Sequence, residues 1–225
     1  MRIYKQAIVM KGTTTQRRDQ SDSGSFQGLP PVVDLDRTRG QILAASLVLF
    51  AEKGYGTTTV RDIASKVGLL SGSLYSHFPS KEKILAELVY IGQMEHSRCL
   101  RAAVLASAPD PHSQLTSLVS TMVRFHVEYQ TLAIVSNAET HVLTPTLARP
   151  ALDLREQSLQ LLKDILARGR DSGGFKFRNL TLTSTVIASL GARVANWYTP
   201  DFPLKPEELS EQMTEIACRI VGVSE

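Results

Sequence analysis

Between residues 58 and 81 the chain sets hydroxyl side chains, glycines, a tyrosine, a histidine and cations at short intervals. Thr58, Thr59 and Arg61 come first, then Ser71, Gly72, Ser73, Tyr75 and His77, then Lys81. Most of these groups are hydrogen-bond donors, and none is spaced as a nucleophile with its base or as a set of metal ligands. The set suits recognition of an anionic, hydrogen-bond-rich surface rather than bond making. The five histidines, at 77, 96, 112, 126 and 141, form no HExxH or other ligand spacing. GxSxG, P-loop and dinucleotide fingerprints are absent too. The expectation is a protein that is not an enzyme and carries no metal or cofactor.

Placing those groups requires helices. Ile42, Leu43, Ala45, Leu49 and Phe50 recur at helical spacing and predict a helix over Thr38 to Lys53, stopped at Gly54. Thr58 or Thr59 caps a second helix over Val60 to Val67, with Asp62 in a box-like position after Thr59. Gly68 supplies a turn, and a third helix runs from Ser71 to His77, ended by Phe78 and Pro79. Ser80 caps a long fourth helix, Lys81 to Ala106. Two short helices joined by a glycine turn are the grammar of a helix-turn-helix, whose second helix enters the DNA major groove. Ser71, Gly72 and Ser73 make its leading end thin and polar. Leu74 and Phe78 point back into the head, while Tyr75 and His77 face out. Thr58, Thr59, Arg61 and Lys81 are placed to meet phosphates. Three positions have structural alternatives: Thr59 as a cap, Gly72 for close helix packing, and Arg61 paired with a nearby acid.

The remainder also reads as helical, over Ser113–Tyr129, Thr131–Val142, Ala151–Ser172, Leu180–Tyr198 and Pro206–Val223, punctuated by prolines and the Gly173-Gly174 pair. The expected fold is all-α, a three-helix head at residues 37–88 joined to a larger helical body at 89–225. Residues 1–36 are rich in Ser, Thr, Gln, Gly and Pro and read as a disordered arm. Arg17 and Arg18 there could touch a minor groove; the alternatives are a solvated tail or an over-long start with Met10 as initiator.

Composition narrows the classes. The net charge is only +3, but residues 37–88 carry seven Lys or Arg against four acids, whereas residues 89–225 carry thirteen against fourteen. Positive charge thus gathers on the head, as phosphate contact requires. Two distant cysteines, Cys99 and Cys218, read as buried free thiols in a reducing cytoplasm. No apolar run approaches a membrane span and the N-terminus lacks a signal peptide's apolar core, so a cytoplasmic protein with no membrane partner is expected.

Residues Arg37 to Leu88 closely resemble the TetR family of bacterial transcriptional regulators. The pattern is FAEKGY closing the first helix, TTVRDIA, a glycine turn, GSLYSHF, and a lysine-rich start to the fourth helix. One departure is Leu70-Ser71, where the family commonly has a small hydroxyl and a lysine. The wording LLSGSLY is closer to KstR-like repressors of steroid and fatty-acid breakdown. GGFKF, NWYTP and PLKPEEL more loosely resemble regulators that sense acyl-CoA thioesters.

The resemblance implies a homodimer through the last two helices, a pseudo-palindromic double-stranded operator and a small-molecule effector held in the body. A pocket wants apolar walls with few polar anchors, and the candidate effector contacts weighed for those roles are Phe125, His126, Tyr129, Asn137, Glu139, Arg155, Arg193, Asn196 and Trp197. For His126 and Tyr129 the alternative is an ordinary core-edge role, and for Arg193 a pairing with an acid across the dimer. An acyl-CoA or lipid-catabolism intermediate is the expected effector. A hydrophobic drug-like compound with control of efflux or detoxification is the second reading, and an effector-less architectural DNA-binding protein the third.

Overall fold

The structure, a computed structural model, describes residues 28–223. Among the described residues it is all helical. The head comprises α1 (Thr38–Lys53), α2 (Val60–Lys66) and α3 (Ser71–His77). α4 (Lys81–Ala106) leaves the head and runs through the body. The body adds α5 (Pro111–Glu128), α6 (Gln130–Glu139), a 3-10 turn (Thr140–Val142), α7 (Pro145–Asp171), α8 (Leu180–Trp197) and α9 (Pro206–Ile220).

Two hydrophobic cores hold these elements. The first joins the head to the adjoining end of the body: Ile42, Leu47, Ile63, Leu74, Phe78, Leu85 and Leu88 pack in one cluster with Phe125, Leu132, Leu143 and Ala151. The second lies deeper in the body, where Leu100, Leu115, Leu118, Leu162, Ile165, Phe175, Ile187, Val194 and Leu209 meet. α4 is about 39 Å long at 1.5 Å per residue and contributes to both, through Ile84, Leu85 and Leu88 at one end and Leu100 and Val104 at the other. α5 packs against α4, α7, α8 and α9 and forms the body's axis.

Four sequence expectations are corrected. Residues 28–36, assigned to the disordered arm, form turns, and Leu29 is buried in the first core. Arg17, Arg18 and Met10 lie outside the described residues. Pro150, expected as a break before Ala151, sits inside α7, which begins instead at Pro145. Pro145 is tolerated because the first helical N–H has no intrahelical partner to lose; Pro150, the sixth residue of α7, withholds one ladder bond, that to Thr146 O. The helix expected through Val142 ends at Glu139 and tightens into the 3-10 turn. Cys99 and Cys218 are free and only partly buried.

Candidate DNA-reading head and effector body

The head's local structure follows from its caps. Thr59 Oγ1 accepts from Asp62 N (3.1 Å) and Thr59 N donates to Asp62 Oδ2 (2.8 Å), closing a capping box at the start of α2. The bond from the Thr59 backbone, helped by its hydroxyl, holds the Asp62 carboxyl below the usual carboxylate range. Gly68 has φ +71°, which lets the chain reverse between α2 and α3; open space surrounds it, so backbone conformation alone requires glycine there. Leu74 and Phe78 are fully buried and fix α3 on one side. On the other side Gly72, Ser73, Tyr75 and Ser76 are exposed, and Ser71 and His77 are half-buried. A Cβ on Gly72 would meet nothing within 4 Å, so close helix packing does not explain that glycine.

Two expected phosphate contacts are turned inward. Thr58 is 0% exposed; its Oγ1 lies 2.9 Å from Gly54 O and 3.2 Å from Leu49 O, tying the loop to the end of α1. A hydroxyl with no surface cannot meet a phosphate, which removes Thr58 from the contact set. Lys81 Nζ donates to Tyr55 O and Thr58 O, both at 2.7 Å, and sits 4.2 Å from the Tyr55 ring centre. Desolvation lowers its pKa despite the field of Glu139. The ammonium staples the α1–α2 loop to α4, a role that short-range sequence spacing does not reveal.

Arg39, in sequence only one of the head's seven cations, is a positioning residue. Its guanidinium lies 4.0 Å over the Phe78 ring, its Nη1 donates to His77 O (2.6 Å), and it pairs with Glu87 on α4. It thereby satisfies a carbonyl at the end of α3 and locks that end to α4. Lys53 approaches Asp62 at 4.0 Å. Arg61, Lys66 and Lys83 are exposed. The head's basic excess is therefore partly consumed in building it.

Head and body are tied by polar contacts as well as by the shared core. Tyr55 N donates to Glu139 Oε1 (3.3 Å), and Thr144 N donates to Glu82 Oε1 (2.7 Å). Burial, then the carboxylates of Glu82 and Glu139, raise the Tyr55 pKa. Glu139 thus stands at the joint.

The other candidate effector residues do not converge. Phe125, His126 and Tyr129 are buried; the His96 ring centre is 4.9 Å from that of Phe125 and 5.3 Å from that of His126, and Tyr129 stacks on Phe125 at 5.1 Å. His126 Nδ1 lies 2.7 Å from Met122 O and donates to it. His96 Nε2 is buried without a hydrogen-bond partner. Burial, with His126 and Arg155 nearby, pushes the His96 pKa down to about 3, and burial lowers that of His126. In sequence His96 is one of five histidines without ligand spacing; its place four residues from Gly92 and from Leu100, both buried on α4, is the signal that it faces inward. Asn137 and Arg155 are exposed, and Arg193 and Trp197 lie on the outer side of α8, with Asn196 half-buried beside them. Two surface concavities, of about 410 Å³ beside Gln41, Ala44 and Val67 and about 480 Å³ beside Arg149, Asp153 and Gln157, include none of the nine.

α8 divides its apolar residues between two faces. Ile187 and Val194 enter the second core, and Gly191 receives Met122 so closely that a Cβ would stand 2.3 Å from the methionine Cε. Leu182, Val186, Leu190 and Trp197 point outward, exposed by 62, 38, 38 and 40%. The glycine corner has a similar packing reason: Phe175 lies on Gly169, where an added Cβ would come within 2.0 Å of its ring. Among the described residues no helix is long and apolar enough to cross a membrane.

A short helix anchored by Leu74 and Phe78, turned out on a three-helix head and carried by a helical body, defines a helix-turn-helix DNA-binding regulator. Comparison with known proteins agrees. Residues 42–88 match the family described as bacterial regulatory proteins, tetR family, and residues 108–221 match the tetracyclin repressor-like C-terminal domain. The chain belongs to the TetR family. It is 28% identical over 183 residues to the HTH-type transcriptional repressor KstR2 of Mycobacterium tuberculosis, covering 79% of this chain and 90% of that protein. The solved structure of that KstR2, a ketosteroid transcriptional regulator, superposes with a TM-score of 0.76 over 86% of this chain and 98% of that one, at 27% identity. A tetR-family regulatory protein from Rhodococcus RHA1 gives 0.78 at 28% identity, over 83% and 98%. AibR, solved with isovaleryl coenzyme A and operator DNA, shares the fold at 0.73 and 18% identity, over 79% and 96%.

Proposed function

We propose that the chain is a dimeric transcriptional repressor that leaves its operator when a small hydrophobic effector, an acyl-CoA or another lipid-catabolism intermediate, enters the body. The observation that carries DNA binding is the outward face of α3: small and polar from Ser71 to Ser73, followed by exposed Tyr75, and held from behind by buried Leu74 and Phe78. Ser71, Gly72, Ser73, Tyr75 and His77 are the proposed groove contacts. Arg61 and the N-terminal backbone of α2 beside Thr59 are proposed to meet phosphate. Lys81 and Thr58 support that surface from within.

The outward stripe of α8, with α9 beside it, is proposed to pair with the same stripe of a second copy. Isologous pairing would place two α3 helices on one side of a duplex, about 34–36 Å apart, matching a pseudo-palindromic site. α4 is the lever, since both cores grip it. The Glu139 and Glu82 contacts tie the head to the far end of the same joint. An effector releases DNA only through its differential affinity for the two arrangements.

The effector class rests on the KstR2 relatives, on AibR's isovaleryl coenzyme A complex, and on the buried Phe125, His126, Tyr129 and His96 cluster, which offers apolar walls with one unpartnered nitrogen. A hydrophobic compound lacking CoA is the second reading. It is favoured by the outward, separated positions of Arg155 and Arg193, which present no phosphate-binding cluster. Thermal-shift measurements with CoA thioesters and with free hydrophobic compounds separate the two, because a ligand of the folded state raises apparent stability by about 2.7 kcal/mol at a hundred times its Kd. A rise with CoA thioesters supports the first reading. A rise only with the free compounds replaces it with the second.

A further inference from the structure

We infer that Leu70 reads the C5-methyl group of an operator thymine, and that this apolar contact is the main source of base discrimination by α3. The inference rests on the DNA-binding reading. Leu70 occupies the N-cap position of α3, where its side chain makes no capping bond and is 81% exposed. Ser, Thr, Asn or Asp would satisfy a backbone N–H there, and leucine does not. Packing does not explain the residue either: its neighbour Leu69 is the one that lies against the head's core. The chain thus holds a large apolar side chain in water at the leading end of the helix that would enter the groove.

The rest of α3 makes that side chain decisive. No Arg, Lys, Asn or Gln occurs between Val67 and Ser80. The bidentate pairs that select guanine or adenine are therefore unavailable to this helix. Ser71, Ser73 and Tyr75 hydroxyls donate or accept and so pair with several bases, Gly72 presents only backbone, and half-buried His77 stands at the trailing end of the helix. In the major groove the thymine methyl is the apolar feature that separates one base pair from the others. A leucine flanked by small hydroxyls can cover it without hindering approach.

The test uses the full chain. Duplexes are selected from a random-sequence pool, and each thymine of the selected half-site is then replaced symmetrically by deoxyuridine, which removes only the methyl. Binding is measured by fluorescence anisotropy for the native chain and for Leu70→Ala. One thymine per half-site should weaken native binding about four-fold when replaced, the worth of one buried methyl group. Leu70→Ala should bind the two duplexes equally. Sensitivity at no thymine, or the same sensitivity in Leu70→Ala, overturns the inference while leaving DNA binding intact. A native chain that selects no duplex at all overturns the DNA-binding reading itself, before any thymine is changed.

Discussion

α3 and α8 are built alike and finished differently. Each buries one face in a core, Leu74 for α3, Ile187 and Val194 for α8, and turns the other outward. The outward face of α3 is small and hydroxylated at its leading end, with Leu70, Tyr75 and half-buried His77 its large groups; that of α8 carries Leu182, Val186, Leu190 and Trp197. The first would leave room for a hydrated, charged partner approached through hydrogen bonds. The second gains by excluding water, as a surface facing its own copy would. Inward anchoring sets where each helix stands, and outward chemistry sets what it can meet.

The largest change should come from the anchors. Phe78→Ala removes a fully buried ring that also carries Arg39. It should cost about 3–5 kcal/mol in chemical denaturation and abolish DNA binding, since α3 loses its seat. A loss under about 1 kcal/mol would mean that α3 is held by something other than this core. Leu190→Glu attacks the opposite face. The monomer should keep its helical content, yet sediment as a single chain and bind duplex about a hundred-fold more weakly, because the second head no longer binds intramolecularly. An unchanged dimer would place the interface elsewhere.

Lys81→Met and Arg61→Ala sharpen the contrast between building and contacting. Lys81→Met strips the Tyr55 and Thr58 carbonyls of their donor and should cost about 1–2 kcal/mol of stability, while the salt slope of DNA binding stays as it was. Arg61→Ala should leave stability nearly unchanged and reduce that slope by about one phosphate contact per chain, about two for the bound dimer. Reversed results would exchange the two roles.

A further test reads a slope in acid rather than the loss caused by one variant. The His96 pKa is lowered to about 3 in the fold, so the unfolded chain takes up the proton first. Stability should be flat in this group's contribution above about pH 6.5 and fall as pH drops toward 3, by up to about 1.4 kcal/mol per pH unit. His96→Leu should remove one proton's worth of that slope in urea titrations between pH 4 and 6.5. An unaltered slope would mean the ring is not held neutral by burial.

The head was largely legible because its signals are local. Caps, a glycine turn and apolar spacing gave α1, α3 and α4 their observed limits, Thr38–Lys53, Ser71–His77 and Lys81–Ala106. Side-chain direction was not legible: Thr58 and Lys81 look like surface donors in sequence, and only tertiary packing turns them inward. Pro150 misled because proline's cost depends on its distance from a helix start that Pro145 had already set. Candidate effector residues chosen by type were scattered over the body, because the folding of α4 against α5 decides which of them share an interior; it brought His96 to Phe125 and His126 and left Asn137 and Arg193 outside.

In the proposed repressor two copies join through α8 and set both α3 helices into one face of a duplex. A hydroxyl-radical footprint of the full chain on a selected duplex, read together with the mass of the complex, tests it most directly. The expected result is an even number of chains per duplex and protected patches repeating about every 10 base pairs on one side, lost together in Leu190→Glu. A single chain bound, or an isolated protected patch that Leu190→Glu leaves unchanged, would contradict it.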